Sequence, residues 1–419
     1  MHGDPYSRLG GRRQQQRRRN VRRALAAVAA VVVIAVVLAG VQLLRPAPST
    51  AVRRIAVAEP TFPRGSWSLP LVRGAETDVM LRGVGTVAAS PGASEIPIAS
   101  VTKVMSALVV LKDHPLRPGD PGPSITITPA DVATYRRELA AQDSVVAVQA
   151  GERLSERDAL EAALVPSADN VIQLLAVWDA GSKAAFVAKM NAQARRLGLV
   201  HTHYAGPSGV NPATVSTASD QTRLATVALE NPAFASIVSR PQVSLPVAGL
   251  QYNVDADLGR NGIVGVKTGW VPQGGASFVF AADTKVGSRA VRLVGAIVGD
   301  GAVPAIPDVL AQARRVVRAA DAGLLERRVV AAGTPVAALD PGYGNVVTVD
   351  TARSASMLGW RGARPVVSVS IVRHLRAPIA RGARVGTLSV ALGSERVTVP
   401  LVTTARLAAP SLGWRLTRT

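Results

Sequence analysis

The chain has 419 residues, 48 Lys and Arg against 28 Asp and Glu, and no cysteine. That length holds two domains, and the missing thiol excludes disulfides, thiol catalysis and zinc–thiolate sites. The formal charge of +20 raises the question of nucleic acid, but basic patches interleaved with aromatics and the known binding motifs are both missing. No nucleic-acid partner is expected, and attraction to an anionic cell envelope fits the charge.

Residues 1–23 form an Arg-rich tail with eight Arg and one acid, Asp4. Then comes "ALAAVAAVVVIAVVLAGVQLL", residues 24–44, without a charge. A bilayer takes about 20 such residues, and the run is longer than the apolar core of a signal peptide. The reading is one uncleaved transmembrane helix. The positive-inside rule puts the tail in the cytoplasm and the rest of the chain outside.

Residues 45–69, rich in Pro and Ser and without periodicity, read as a stalk or linker. From there to Glu326 helices and strands mix, as expected of one catalytic domain over 70–326. "ETDVMLRGVGTVAAS" predicts a strand pair with glycine turns, and "SVTKVMSALVVLKDH" a helix. "SERDALEAALVPSADNVIQLLAVW" predicts helices joined at Pro166. "SKAAFVAKMNAQARRLGL" predicts a helix stopped at Gly198. "NGIVGVKTGW", "ASFVFAAD" and "RAVRLVGAIVG" predict three strands, and "IPDVLAQARRVVRAADAGLLER" a closing helix. Short strands with turn signals then predict a small all-β domain over 330–410.

Only six of the 48 cationic residues are Lys. Arg is the default cation here, so each Lys marks a place where an amine able to lose its proton is useful. Lys103 stands three residues after Ser100 at the head of the apolar helix, on the same face. The first helical turn favours developing negative charge at Ser100. Burial among Ile98, Val101, Val104 and Met105 predicts an amine with a lowered pKa, able to act as base for a serine nucleophile. The pair alone is a weak motif, and an ordinary N-cap serine is the plain alternative. Two more features add weight. Ser167-Ala168-Asp169 lies in the turn between two helices, and Lys267-Thr268-Gly269 lies on a predicted strand. The order Ser-x-x-Lys, Ser-centred triplet, Lys-Thr-Gly is that of serine acyl-transferases.

These blocks resemble the D-alanyl-D-alanine carboxypeptidases, the low-molecular-weight penicillin-binding proteins. "PIASVTKVMSALVVL", "GERLSERDALEAALVPSADN", "MNAQARRLGLVHTHYAGPSGVN" and "GVKTGW" occur in that family's order. "APIARGARVGTLSVALGSERVTVPLV" is similar to its C-terminal β-rich domain. The resemblance implies an α+β fold of the serine β-lactamase and penicillin-binding-protein type, an antiparallel sheet flanked by helices, followed by the small β domain. It implies that Ser100 attacks the penultimate D-alanine carbonyl of a peptidoglycan stem peptide, that Lys103 takes its proton and that Ser167 passes it to the leaving D-alanine. Asp169, Lys267, Thr268, Gly269 and Trp270 would border the substrate, Lys267 and Thr268 holding its carboxylate. The backbone N–H groups of Ser100 and Trp270 would form the oxyanion hole. β-Lactams would be covalent inhibitors, and no metal or cofactor is implied.

The chain departs from the family at Asp169, where Asn is usual; an ionised Asp only accepts hydrogen bonds, and it can pair with Lys103 or Lys267. Trp270 and Val271 replace a small or polar residue and Thr. Arg289 and Arg292 are the candidates for a further carboxylate-binding cation. A C-terminal amphipathic helix is not expected. The alternatives to a membrane-anchored carboxypeptidase are a weakly active peptidoglycan or β-lactam sensor or scaffold, and a serine β-lactamase.

Overall fold

The computed structural model describes residues 7–418, with side chains from Gln14 onward. The first six residues of the basic tail lie outside the described residues. Helix α1, Ser7–Leu44, contains the apolar run. Within Gln14–Leu44 an 18-residue apolar window reaches mean hydropathy 3.0, and none of that window is buried against protein. By length and composition it fits a membrane span or a signal sequence.

Strand β1 (Ala51–Arg54) is followed by the hairpin β2 (Glu76–Leu81) and β3 (Gly85–Ala89). After β4 (Ile96–Pro97), a 3₁₀ turn, Ala99–Thr102, leads into α2 (Lys103–Asp113). A helical lobe follows, with β5 (Ser124–Thr126), α3 (Pro129–Ala140), β6 (Arg153–Ser155), α4 (Glu156–Leu164), α5 (Asp169–Ala180) and α6 (Lys183–Leu197). It closes with β7 (Val215–Ser216), α7 (Ala218–Ala228) and α8 (Pro232–Val238). Gly198 ends α6 at φ 68°, where glycine carries no Cβ penalty. The hairpin β8 (Gln242–Leu245) and β9 (Gly249–Tyr252) precedes β10 (Ile263–Val271), β11 (Gly275–Val286), β12 (Arg289–Asp300) and α9 (Ala305–Gly323).

These strands form an antiparallel sheet in the order β10-β11-β12-β2-β3. Alternation along each strand feeds two cores. Val279, Ala281, Val294 and Ala296 pack with α2 and the helical lobe. Phe278, Phe280, Leu293 and Ile297 pack with α9 and the β domain beyond it. The molecule is therefore α+β, a sheet flanked by helices on both faces, and β10 is an edge strand.

The C-terminal part comprises β13 (Leu324–Val330), β14 (Pro335–Asp340), β15 (Val347–Thr351), β16 (Ala355–Trp360), β17 (Val366–Ile371), β18 (Arg384–Leu392) and β19 (Glu395–Thr403). One sheet runs β1-β14-β15-β19-β18-β17, and β13 pairs with β16. The closing helix expected through Arg327 stops at Gly323. Leu324 to Glu326 already pair with β16. Trp67 fills the space where a side chain at position 323 would stand and donates to the Ala319 carbonyl at 2.6 Å.

Segment 45–69, expected to be a free stalk, is docked along much of its length. β1 pairs antiparallel with β14, Ala51 opposite Asp340. Phe62 is 2% exposed within the core that the β domain shares with the sheet. All four β1 side chains are exposed, so the pairing is made by backbone and leaves no apolar alternation to read. A short helix, α10 (Leu412–Thr417), packs on the end of α1. Its neighbour Arg418 donates to the carbonyls of Gln42 and Arg45, each at 2.9 Å.

If the segment is a structural part of the β domain, Phe62→Ala should cost about 3–5 kcal/mol in denaturant unfolding of the full chain. A loss below about 1 kcal/mol would identify the segment as a tether laid on the surface.

Candidate active site

Ser100 lies in the 3₁₀ turn before α2, not in an α-helical first turn. Side chains at i and i+3 eclipse one another in that geometry, and Lys103 Nζ donates to Ser100 Oγ at 2.7 Å. The turn is entered through Ala99 at φ 49°, a conformation that a Cβ disfavours. It is braced from outside by the loop "GPSGV". A Cβ on Gly209 would fall 1.8 Å from the Ala99 carbonyl oxygen, so only glycine lets the loop lie there. Ser106 Oγ, in α2, donates to the Pro207 carbonyl at 2.7 Å. The sequence marked this loop only as part of a block that resembles the family; its paired glycines around Pro and Ser were the sole local signal of a close approach.

Ser167 sits between α4 and α5 at φ 69°. The turn is tied on both sides: Ala168 N–H donates to Ala162 O at 2.9 Å and Asp169 N–H to Ser144 O at 2.6 Å. Lys103 Nζ reaches Ser167 Oγ at 3.3 Å and Asp169 Oδ1 at 2.6 Å. With Ser100, these acceptors take all three N–H bonds of an ammonium. Lys103, Ser167 and Asp169 are at most 4% exposed. The apolar shell expected around Lys103 is present, since Ile98, Val101, Val104 and Met105 are all buried. Of the two pairings open to Asp169, the structure has the one with Lys103, to which Asp169 supplies a countercharge. Asn170 faces elsewhere, clamping both backbone groups of Val146 at 3.2 and 3.0 Å.

On the other side runs β10. Lys267 and Thr268 are each 2% exposed. A Cβ on Gly269 would stand 2.8 Å from Ser100 N and 3.0 Å from Ile98 O, so glycine is what allows the edge strand to touch the backbone of the serine turn. Trp270 follows, half exposed. Lys267 Nζ donates to the Thr268 carbonyl at 3.1 Å. Burial, and next the charge on Lys103, push its pKa down to about 7, while Asp169 and Asp255 oppose the fall.

Arg289 and Arg292 are not at this site. Arg292 holds Asp283 bidentately at 2.6 and 2.7 Å, and Arg289 holds Glu395 at 3.0 Å. Lys267 is opposite Val279, itself opposite Ala296. Arg292 is four residues along from Ala296 and Arg289 seven, about 13 and 23 Å at strand spacing. The arrangement of Ser100, Lys103, Ser167 and Asp169 can move a proton off Ser100, and the second buried amine beside it can hold an anion.

Residues 86–299 match the family model described as D-alanyl-D-alanine carboxypeptidase. A D-alanyl-D-alanine endopeptidase of Pseudomonas aeruginosa is 36% identical over 160 residues, 38% of this chain and 48% of that one. A D-alanyl-D-alanine carboxypeptidase of Mycobacterium tuberculosis is 34% identical over 193 residues, 44% of this chain and 62% of its own. The chain thus spans about half to three-fifths of the length of these two relatives. Among solved structures, a Streptomyces DD-transpeptidase superposes with TM-score 0.54 at 25% identity, over 60% of this chain and 98% of that chain. Penicillin binding protein 5 from Haemophilus influenzae superposes with TM-score 0.57 at 20% identity, over 84% of this chain and 100% of that chain. The fold is that of the penicillin-binding DD-peptidases. The chain belongs to the D-alanyl-D-alanine carboxypeptidase family.

Burial of Lys267 has a measurable cost. Its pKa in the folded chain, about 7, lies below the ordinary 10.5. The unfolded chain therefore binds more protons between these values. The cost is full below about pH 7 and is relieved as pH rises toward 10.5. Lys267→Met should raise the melting temperature more at pH 6 than at pH 10; a stabilisation that does not vary with pH would mean the amine is not held at this depressed pKa.

Proposed function

We propose that this protein is a serine D-alanyl-D-alanine carboxypeptidase, held at a membrane by residues 24–44, that trims stem peptides through an acyl-enzyme on Ser100. The catalytic part is residues 70–326 and the β-rich part 330–410. The observation that carries the reading is Lys103 Nζ within hydrogen-bond reach of Ser100 Oγ, Ser167 Oγ and Asp169 Oδ1 at once.

In this reading Lys267 and Thr268 take the terminal carboxylate. The N–H groups of Ser100 and Trp270, adjacent through the Gly269 contact, receive the scissile carbonyl oxygen. Carboxylate at 267–268 and carbonyl at 270 set the direction of the peptide: it runs antiparallel to β10 along its free edge. Upstream residues then pass Trp270 toward a cavity of about 660 Å³ lined by Trp270, Ile96, Pro272 and Val303.

Lys103 must be neutral to accept the Ser100 proton, and Asp169 Oδ1 is the acceptor that can relieve it of one. The Ser100 hydroxyl proton passes to Lys103 Nζ as the Oγ–carbon bond forms. It then passes by way of Ser167 Oγ to the nitrogen of the departing D-alanine as the peptide bond breaks. Water, losing a proton to Lys103, attacks the ester carbonyl; the carbon–Oγ bond breaks and Lys103 returns that proton to Ser100 Oγ. β-Lactams, which imitate the D-alanyl-D-alanine end, acylate the same oxygen.

The test is D-alanine release from a D-Ala-D-Ala pentapeptide by the full chain in detergent, with labelled penicillin in parallel. Ser100→Ala should abolish both, and covalent labelling of that variant would remove Ser100 as nucleophile. Labelling of the wild-type chain without D-alanine release would favour a sensor or scaffold, which the Lys103–Asp169 pair makes chemically reasonable by keeping the base charged. Rapid penicillin turnover would favour a β-lactamase. Asp169→Asn removes the carboxylate that holds a proton on Lys103. It should speed penicillin acylation at neutral pH while lowering the melting temperature; a slower acylation in a folded variant would show that Asp169 is itself needed in the proton path.

A further inference from the structure

We propose that Asp255 is a positioning residue for Lys267, a buried carboxylate that keeps the anion-holding amine charged. The proposal rests on the reading above in which Lys267 holds the substrate carboxylate.

Asp255 lies in the loop that leads into β10 and is 4% exposed. Its Oδ1 accepts from Asp257 N–H at 3.0 Å, and its Oδ2 is buried without a hydrogen-bond partner. The loop is stitched in place. Asn253 Oδ1 accepts from Asp255 N–H at 2.8 Å, and Val254 N–H donates to Val165 O at 3.2 Å, two residues before Ser167. Farther on, Gly259 N–H donates to Ile263 O at 2.8 Å, so the loop that carries Asp255 is tied to the segment before Ser167 at one end and to the start of β10, the strand of Lys267, at the other.

Its neighbour Asp257 is already neutralised by Arg314 from α9, with Arg260 at 3.7 Å. Asp255 has no cation in direct contact among the described residues. Isolated buried charge is strongly unfavourable. The cation within electrostatic reach is Lys267, and the attraction acts on both groups. The other charges that face Lys267 are Lys103 from α2 and Asp169 from α5. Asp169 is in contact with Lys103, so these two largely offset one another. That leaves Asp255 as the uncommitted countercharge. Burial pushes the Asp255 pKa to about 6, so its charge is present from there upward, through the range where Lys267 would otherwise give up its proton.

The experiment uses the full chain in detergent, labelled isotopically at lysine so that the amines are followed by NMR across pH. With six Lys in the chain, Lys267 is assigned by its absence in Lys267→Met. In Asp255→Asn and Asp255→Ser the Lys267 titration should move to lower pH by about one unit, and Asp255→Glu should restore it. In D-alanine release the two neutral variants should show KM raised about tenfold at pH 8, with kcat little changed. An unmoved Lys267 titration in either folded neutral variant overturns the proposal. So does a loss of kcat with KM unchanged. A shifted titration in a protein whose wild type releases no D-alanine would uphold the charge coupling and sink the carboxypeptidase reading instead.

Discussion

One buried ammonium, on Lys103, is the point around which three separate stretches of chain are arranged. A charge at 0% exposure is tolerable only if each of its protons is met. The chain supplies those partners at some conformational cost. Ser167 adopts a left-handed backbone to turn its hydroxyl inward, and Asp169 opens α5 with its carboxylate directed the same way. Asn170 and the Ser144 carbonyl then lock that turn to the 144–148 segment. Strain of this kind, about 1–3 kcal/mol per residue, persists only where the surroundings over-determine it. Here the surroundings are the ion pair itself. Removing one partner would leave an uncompensated charge in the core, which is far costlier than the strain.

A second constraint is steric. The 3₁₀ turn of Ser100 is pressed from two sides by backbone, with Gly209 against the Ala99 carbonyl and Gly269 against Ser100 N. Neither contact tolerates a methyl group. The nucleophile is thereby fixed without any ligand, and its N–H is set beside the edge of β10. Pre-organisation of this sort lowers the entropy lost when reacting groups meet. It also explains why half-exposed Trp270 is compatible with the site, since the strand contributes backbone there.

Much of this was legible in the sequence because the informative signals are local. The 3.6 period of α2 and α6 follows from side-chain direction alone. Pro166 and Gly198 punctuate helices by their own backbone limits. The Lys103–Asp169 contact was one of two pairings open to Asp169, and nothing local chose between them. What escaped depends on distant partners. A four-residue 3₁₀ turn has no periodic signature. The conformation of Ala99 is imposed by a glycine 110 positions later in the chain. β1 pairs through backbone with exposed side chains, so a Pro-rich stretch read as slack. Asp255, in a polar loop between turn residues, reads as solvated until the fold closes over it.

The docking of β1 shortens the leash. Between Leu44 and Ala51 only residues 45–50 remain, at most about 20 Å when fully stretched, and Thr50 N–H is already bound to Leu375 O at 2.8 Å. Arg415 and Arg418 hold the carbonyls at the end of α1 from the other side. With α1 in a bilayer, as proposed, the groove rides at a nearly constant height. It sweeps a plane instead of a volume, and what it reaches is set by its distance from the lipid.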